Sequence, residues 1–344
     1  MGRNPSLSVV IVAFNSLEAL SRTLPALVAQ LNDGDELIVV DNASSDDSAA
    51  TARALAPRCR VLAQSSNLGF AAGANAGAAA AEGELLLFLN PDAMPLAGFC
   101  DAIRLPWRDD RGWDAWMGLV TQADGSRINT AGNPVHFTGL VWAGRIGEPA
   151  AAPIEAQEVP VASGACLAVR REAWLDQGGF PEQFFLYHED ADLSMRLHLQ
   201  GRRVGLEPSA RVDHDYDFGR SARKMLWLER NRFALVARTY PAPLLLLLAP
   251  ALLATELAML PIAVASGWGG QKLRAWLEGL RWLPRLLRER RQVQRRRTVS
   301  AAEFATWLTP ELDSPYFGRV GRWRPLRWAL RAYWRAVTVL LGRR

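Results

Sequence analysis

The chain has 344 residues, of which 49% are hydrophobic and 22% are charged. This length and apolar content exclude a small disulfide-stapled module and a globally disordered chain. The three cysteines, Cys59, Cys100 and Cys166, lack the C-x-x-C spacing of a zinc ribbon and fit a reducing compartment. The first residues do not form a secretory signal, so we expect the protein to start in the cytosol.

The net charge of +5 is distributed unevenly along the chain. Residues 267–344 contain 18 basic and 5 acidic residues, a net charge of +13, whereas the remaining residues carry a net charge of −8. A basic, Trp-rich C-terminal part predicts an anionic partner, either nucleic acid or a membrane. The arginine run at 290–297 could hold nucleic acid, but no nucleic-acid recognition fold accompanies it. We therefore predict an anionic membrane surface and no nucleic acid.

Strands and helices alternate through the first hundred residues. Residues 6–14 form a β-branched apolar run that is typical of a buried parallel strand. The elements predicted after it are a helix over 17–31, a strand over 36–41, a helix over 46–55, a strand over 60–63, a helix over 70–81 and a strand over 84–89. This alternation predicts a doubly wound α/β sheet, in which ligands bind at the carboxyl ends of the strands.

The pattern weakens between residues 106 and 160, where we expect connecting strands and a mobile loop. Order returns at 161–171, followed by an aromatic and acidic stretch and a short helix that ends at Gly201. A longer helix is predicted over 221–240.

Residues 243–266 form the most apolar segment of the chain. About 20 apolar residues suffice to cross a bilayer, but Glu256 lies near the middle of this segment, and Pro250 and Pro261 interrupt it. Because both flanks are basic, we favour a re-entrant or interfacial helical hairpin over a true span or a buried helix pair.

Two later patterns, at 273–287 and 323–341, combine Leu and Trp with Arg. They predict basic amphipathic helices that bind a membrane interface; the alternative is that they pack on the protein with a solvated basic face.

Polar and glycine-rich motifs follow the predicted strands. The motif VVDNASSDDS at 39–48 can hydrogen-bond a nucleotide base, although Asp41 could instead cap the next helix. The motif NLGFAAGANAG at 67–77 places small residues at a helix start, where backbone N–H groups can approach a diphosphate. Tight helix packing explains these small residues equally well.

Two residues are candidate metal ligands. Asp92 follows the strand at 84–89, where a carboxylate suits Mg²⁺ or Mn²⁺, although an isolated N-P-D is most often a turn. His214 follows a predicted strand and could bind the same ion, whereas a lone histidine is more often structural.

Three acids, Glu189, Asp190 and Asp192, follow a cluster of aromatic residues. Apolar surroundings desolvate a carboxylate and make it a stronger base towards a hydroxyl group. The alternative is that these acids only stabilise a helix N-terminus, which accounts for one or two of them but not for the aromatic residues.

The order of these motifs resembles glycosyltransferase family 2, the inverting GT-A group, and within it bacterial rhamnosyltransferase-like enzymes. The matching elements are SVVIVAFNS at 8–16, VVDNASSDDS at 39–48, NLGFAAGANAG at 67–77, LFLNPDAMP at 87–95, SGACLAVRREAW at 163–174, GGFPEQFFLYHEDADLSMRL at 178–197, and a histidine followed by RNRFALVARTYP at 230–241. These motifs cover roughly two thirds of the chain.

The resemblance implies a Rossmann-like GT-A fold, with a mostly parallel sheet and flanking helices, over residues 1–241. Its nucleotide-sugar-binding half would be 1–100 and its acceptor-binding half 101–241. Residues 242–344 would then form the helical membrane-associated region, with the apolar hairpin and the basic helices.

The resemblance also implies a single displacement, with inversion, at the anomeric carbon of a nucleotide-diphospho-sugar. The nucleotide would be UDP, dTDP or GDP, and rhamnose is a candidate sugar. Asp190 would be the base, Asp92 the metal-binding acid with His214 assisting, and Mg²⁺ or Mn²⁺ the cofactor. Two departures stand out, because Asn90 replaces the first acid of a D-x-D motif and Pro181 replaces the acid of an F-D-E motif.

The acceptor implied is a hydroxyl of a lipid-linked or cell-surface glycan, at the cytoplasmic face of the bacterial inner membrane. The oligomeric state stays open, a homo-oligomer included. The residues implied at the donor are Ala13, Asn15, Asp41 (at the base), Asn42, Asn67, Gly69, Asn75 and Asn90. The residues implied at the acceptor are Glu189, Asp192, Gly164 and Tyr187.

Two other functions compete with this hypothesis. A nucleotidyltransferase would need a basic residue near the triphosphate, and the motif at 67–77 contains no Lys or Arg. A catalytically silent nucleotide-sugar-binding scaffold would have no use for a base, so the acids Asp92 and Asp190 argue against it.

Overall fold

The computed structural model describes residues 3–215 and 222–342. Within these ranges the chain forms two compact units. The first comprises residues 3–133, 143–194 and 203–215, and the second comprises residues 134–142, 195–202 and 222–342. The functional boundary expected between residues 241 and 242 stays a prediction, since compactness groups residues 222–241 with the C-terminal helices.

The strands and helices up to residue 215 alternate as the sequence predicts. In chain order they are β1 (Leu7–Ala13), α1 (Leu17–Val28), β2 (Glu36–Asp41), α2 (Ser48–Leu55), β3 (Arg60–Ala63), α3 (Gly69–Ala80), β4 (Leu85–Leu89), β5 (Ala93–Pro95), α4 (Phe99–Ala102), α5 (Leu105–Arg108), β6 (Trp113–Gln122), β7 (Ile128–Thr130), β8 (Val135–His136), β9 (Gln157–Glu158), β10 (Cys166–Arg170), α6 (Arg171–Gln177), α7 (Glu189–Leu199) and β11 (Arg203–His214). A 3₁₀ turn at Glu182–Phe184 precedes α7.

Helices dominate the rest of the chain. They are α8 (Ala222–Thr239), α9 (Ala242–Ala265), α10 (Gly269–Arg295), α11 (Ala301–Ala305), α12 (Gly318–Arg322) and α13 (Arg324–Gly342), with a short strand β12 (Leu308–Thr309) and a 3₁₀ turn at Pro315–Phe317. The helix predicted over 221–240 is α8, and Ser221 lies outside the described residues. The two predicted amphipathic patterns form α10 and α13.

One sheet organises the first unit, with the strand order β3-β2-β1-β4-β10-β6-β11-β5. Strands β1, β2, β3 and β4 pair in parallel, which confirms the predicted α/β class. Every residue of β1 and of β4 is buried, because helices cover both faces of a parallel sheet. The carboxyl ends of these strands therefore share one edge.

The second half of the sheet is mixed, because β10 enters antiparallel to both β4 and β6. The ten-residue strand β6 comes from the region 106–160, where the sequence pattern is weak. The pairing of β10 with β4 aligns Cys166 with Leu89 and so brings residue 165 beside the end of β4.

In the second unit the apolar segment forms one continuous helix, α9, that includes Pro250 and Pro261. The helical hairpin expected inside this segment is therefore wrong. A proline in a helix interior costs about 3 kcal/mol. Burial of Leu244 and Leu248 in the second unit offsets part of that cost. Among the described helices, α9 is the one whose length and composition would suffice to cross a membrane.

Glu256, near the middle of α9, joins a network of charged side chains in the second unit. Its carboxylate pairs with Arg232 of α8 and with Lys272 of α10, and it accepts a hydrogen bond from Trp276 Nε1 at 2.5 Å. Although burial raises it, the pKa of Glu256 is lowered to about 2 by these partners. Glu229 also pairs with Arg232 and Lys272, so the opposite charges neutralise one another.

We expect Gly77→Ala to destabilise the protein by about 1–3 kcal/mol through overpacking. A Cβ at position 77 would overlap Val10 Cγ1 and lie 3.1 Å from Val40 Cγ2. The matched control is Gly34→Ala, because no atom lies within 4 Å of the Cβ built there. The free energy of unfolding from urea titration measures both, and equal values for the two variants would contradict the packing of α3 on β1 described here.

Candidate active site

The predicted site residues at the ends of β1 and β2 lie close together. The Asn42 backbone N–H donates to the Ala13 carbonyl at 2.8 Å, which continues the parallel pairing past Asp41. Asn15 has a positive φ of 50°, and its Oδ1 accepts from the Ser45 backbone N–H at 2.8 Å. Asp41 is buried, and its Oδ1 accepts from the Ser44 backbone N–H at 3.1 Å. Asn15 and Asp41 thus flank one short turn at the sheet edge.

The side chains of Asn42 and Asn67 hold the turn before α3. Asn42 Nδ2 donates to Asn67 Oδ1 and to the Gly69 carbonyl, each at 3.0 Å. Asn67 Oδ1 also accepts from the Gly69 N–H at 2.9 Å. These amides shape the turn through contacts within the protein, a role that the sequence pattern alone did not distinguish from donor binding.

The glycines of α3 serve close packing. A Cβ at Gly73 would lie 2.7 Å from Val12 Cγ1, and the helix therefore sits directly on β1. Gly69 has a φ of 86°, and a Cβ there would lie 2.5 Å from the Phe185 carbonyl oxygen. That carbonyl accepts from the Ala71 N–H at 3.2 Å, so a protein group occupies part of the helix start that was expected to bind a diphosphate.

Asn75 ties α3 to the segment that leads to the acids. Its Oδ1 accepts from the Phe180 N–H at 2.9 Å, and its Nδ2 donates to the Phe180 carbonyl at 3.0 Å and to Glu182 Oε1 at 3.2 Å. This amide therefore positions the acidic segment, and nothing in its local sequence indicates that role.

The two predicted metal ligands meet across 122 residues of sequence. His214 Nε2 lies 3.1 Å from Asp92 Oδ1 and 3.2 Å from Asn90 Nδ2. The contact arises because β5, which begins directly after Asp92, pairs antiparallel with β11 and aligns Ala93 with His214. His214 is buried, whereas about a quarter of the Asp92 side chain is exposed.

A carboxylate oxygen and an imidazole nitrogen at this spacing fit one divalent cation, and diphosphate oxygens or water can supply the remaining ligands. No group of three or more His, Cys, Asp or Glu side chains that could hold a metal occurs within residues 3–215 and 222–342. An ion at Asp92 and His214 would therefore depend on its substrate for much of its coordination.

Asp190 lies near the same edge of the sheet. Its Oδ2 accepts from the Gly164 backbone N–H at 2.9 Å. The next residue, Ala165, accepts through its carbonyl from the Asn90 N–H at 3.0 Å. Two backbone contacts thus link the loop that carries Asp92 to the loop that holds Asp190, as the prediction of a shared site requires.

The three acids differ in their surroundings. Glu189 is 4% exposed, Asp192 is fully buried, and Asp190 is partly exposed at the start of α7. Burial raises the pKa of Glu189 well above its usual value, and the neighbouring Asp190 and Asp192 raise it further. Burial also raises the pKa of Asp190, against the opposing effect of the N–H groups of Gly164 and Ala191. Asp190 is therefore the acid that a ligand can reach.

The segment before α7 has an unusual backbone. Phe185, Tyr187 and His188 have φ values of 64°, 72° and 68°, a region that bulky residues rarely adopt. Such conformations persist only where surrounding contacts enforce them, and they cluster at functional sites. A single sequence carries no signal for this feature, because glycine would be the usual indicator.

The aromatic residues divide between core and site. Phe180 and Phe184 are buried, and Phe180 packs against Phe88 and Trp174 with ring centroids 5.5 and 4.8 Å apart. Tyr187 is partly exposed beside the acids in sequence. Sequence reasoning missed Phe70, whose ring edge would lie 3.6 Å from a Cβ at Gly164 and which therefore lies close to Asp190.

Comparison with known proteins places the chain in a family. Residues 8–176 match the family model Glycosyl transferase family 2. The N-acetylglucosaminyl-diphospho-decaprenol L-rhamnosyltransferase of Mycobacterium tuberculosis is 30% identical over 237 residues, which are 60% of this chain and 75% of that protein. The O-antigen biosynthesis protein RfbC of Myxococcus xanthus is 30% identical over 63% of this chain and 18% of its own length. The chain therefore belongs to glycosyl transferase family 2 and is a glycosyltransferase.

Solved structures share the fold. Residues 1–349 of TarS from S. aureus align with a TM-score of 0.55 and 15% identity over 98% of this chain and 90% of that one. Mannosyltransferase PcManGT from Pyrobaculum calidifontis, in complex with GDP-Man and Mn²⁺, gives 0.52 and 17% over 98% and 87%. GalNAc-T7 with UDP, GalNAc and Mn²⁺ gives 0.58 and 17% over 70% of this chain, and the match spans about half, 49%, of that protein. The GT-A type of α/β fold is confirmed by these likenesses.

We expect Glu189→Gln to raise the melting temperature at pH 8 by about 2 °C or more and to change it little at pH 4. With a raised pKa, folded Glu189 keeps its proton above pH 4.5, where the unfolded chain loses it. The wild type therefore loses stability as pH rises from 4.5 through the folded pKa, and the amide removes that loss. Glu172→Gln, at an exposed acid of α6, is the control. A Glu189→Gln variant that melts like the wild type at pH 8 would contradict the raised pKa.

We expect Gly69→Ala to slow sugar transfer about 10- to 100-fold, because the Phe185 carbonyl must move and the segment before Asp190 moves with it. The matched control is Gly98→Ala, which also has a positive φ, of 80°, but no atom within 4 Å of its Cβ. Transfer rates of the two folded variants measure the effect. Equal rates would show that strain, and not the contact with Phe185, matters at position 69.

Proposed function

We propose that the protein is an inverting transferase that moves a sugar from a nucleotide-diphospho-sugar to a hydroxyl of a lipid-linked or cell-surface glycan. The proposal rests above all on one observation: two backbone hydrogen bonds, Gly164 to Asp190 and Asn90 to Ala165, connect the base candidate with the metal candidate at one sheet edge. The donor is a UDP-, dTDP- or GDP-sugar, and rhamnose is the first sugar to test, since the Mycobacterium tuberculosis relative is named a rhamnosyltransferase.

Asp190 is the proposed general base. It takes the proton of the acceptor hydroxyl while the acceptor oxygen attacks the anomeric carbon from the face opposite the diphosphate, which inverts the configuration. The N–H groups of Gly164 and Ala191 orient its carboxylate. Burial raises the pKa of Asp190 and strengthens it as a base, while Glu189 and Asp192 shape the acceptor side. Gly164 and Tyr187 complete that side of the site.

Asp92 and His214 are the proposed ligands of Mg²⁺ or Mn²⁺, with Asn90 beside them. The ion, when bound, neutralises charge on the leaving diphosphate. Two of the structural neighbours were crystallised with Mn²⁺, which supports a divalent cation. On the donor side, Asp41 and Asn15 face the nucleotide, and Asn42, Asn67, Gly69 and Asn75 shape the turn and helix beside it.

The proposed location is the cytoplasmic face of the bacterial inner membrane. The apolar helix α9 and the net charge of +13 over residues 267–344 support an anionic membrane surface as a partner. A membrane-bound enzyme meets a lipid-linked acceptor at high effective concentration.

The first test measures release of nucleoside diphosphate from a panel of UDP-, dTDP- and GDP-sugars, with a membrane lipid extract as acceptor. We expect release from one donor, loss of release with EDTA, and a decrease of about 10²- to 10⁴-fold in Asp190→Asn. Asp92→Asn should lose activity and its dependence on added metal together. Asp110→Asn, at an exposed acid, is the control and should behave like the wild type.

Tight binding of a nucleotide-sugar without turnover, unchanged by both substitutions, would contradict the transferase. That result would favour the catalytically silent scaffold and remove Asp190 as a base.

A further inference from the structure

A cavity of about 400 Å³ lies in the second unit, between the start of α9 and the end of α10. Three arginines line it together with a glutamine and three apolar residues. The lining residues are Arg290, Arg291, Arg297, Gln294, Ala242, Pro243 and Leu287. Among these described residues there is no acid, so the cavity carries an uncompensated positive charge.

The nearest acid in sequence, Glu289, is already neutralised. Its carboxylate pairs with Arg238 and with Arg285, at 2.6 Å for the latter. Burial lowers the pKa of Arg290, and the positive charge of Arg297 lowers it further, which shows that the two guanidinium groups repel each other. A bound anion would relieve this repulsion.

Part of the cluster has a structural role. Arg290 Nη1 donates to the carbonyls of Ala237 and Tyr240 at 2.8 and 2.7 Å. Gln294 Nε2 likewise donates to the carbonyls of Arg238 and Thr239, at the end of α8. Arg291 and Arg297 are exposed and take no part in this capping. Their presence in the cavity therefore needs another explanation.

The cavity continues into an apolar surface. Leu287 lines it and is also the last member of an exposed leucine stripe on α10 at i, i+4, i+7 and i+14, formed by Leu273, Leu277, Leu280 and Leu287. A second stripe runs along α9, which begins at the cavity, and is formed by Leu246, Leu253, Leu257 and Val264. Leu246 is 74% exposed and Leu253 is 62% exposed. An occupant of this surface must combine a phosphate-like head with apolar chains.

We propose that this cavity, named here the arginine cavity, binds the phosphate group of an anionic membrane phospholipid, whose acyl chains contact the leucine stripes of α9 and α10. Arginine is suited to this ligand because its planar fork matches phosphate oxygens. The exposed Trp323 and Trp328 of the same unit fit the interface of a bilayer. The α9 helix then lies in the interface, because its mid-helix Glu256 is held by Arg232 and Lys272. The proposal rests on the membrane location proposed above and makes it specific.

The test uses the full chain and flotation with vesicles of 70% phosphatidylcholine and about 30% phosphatidylglycerol, a composition chosen for its negative surface charge. The cavity variant is Arg291→Lys/Arg297→Lys, which keeps the charge but loses the guanidinium fork. The matched control is Arg281→Lys/Arg288→Lys, at exposed arginines of α10 outside the cavity. Equal melting temperatures establish that both variants fold.

We expect the cavity variant to bind these vesicles about fivefold or more weakly than the wild type, and the control variant to bind like the wild type. On vesicles of equal negative charge made with oleate, which carries no phosphate, all three proteins should bind alike. Equal binding of the cavity and control variants to phosphatidylglycerol would overturn the cavity as a site and leave a general charge effect.

Two further outcomes would also overturn the proposal. One is a wild type that binds no vesicle, and the other is stabilisation by inorganic phosphate without vesicle binding, which would assign the cavity to a soluble phosphate. Asp92→Asn should bind vesicles like the wild type. Failure of diphosphate release in every assay would therefore refute the proposed transferase while the vesicle result stands separately.

Discussion

The antiparallel pairing of β10 with β4 is the contact on which the candidate site depends. The parallel strands β1, β2 and β4 by themselves create an edge that can hold a nucleotide. The entry of β10 places residue 165 beside Asn90 and residue 164 beside Asp190. The register of one strand pair therefore decides whether a base and a metal ligand can act on one substrate.

The site combines this scaffold with local electrostatic cost. Glu189 and Asp192 are buried next to Asp190, and burial raises the pKa of Glu189 and of Asp190. Free energy is also stored in the left-handed backbone of Phe185, Tyr187 and His188. Stability is lost where a base must be desolvated and yet reachable, and the rest of the first unit, with its fully buried β1 and β4, supplies the stability that offsets this loss.

The elements of strong periodicity were predictable, whereas contacts between distant residues were not. The prediction placed β1, β2, β4 and α3 within one or two residues, since buried strands and small-residue helices have local signatures. It missed the extent of β6 and the continuity of α9, because tertiary packing overrides weak local preferences there. Asn75 belongs to the predicted donor residues, but its bonds to residues 180 and 182 became visible only in three dimensions.

The sequence by itself determined the α/β class, the order of the motifs, the acids available for chemistry and the basic, apolar character of the last hundred residues. These properties depend on local periodicity and on residue chemistry, which are written in neighbouring positions. The tertiary structure alone decided that His214 meets Asp92, that Gly164 orients Asp190, and that three arginines of α10 share a cavity with the start of α9. Each of these contacts follows from strand register or helix packing over long sequence separations, and no local pattern specifies it.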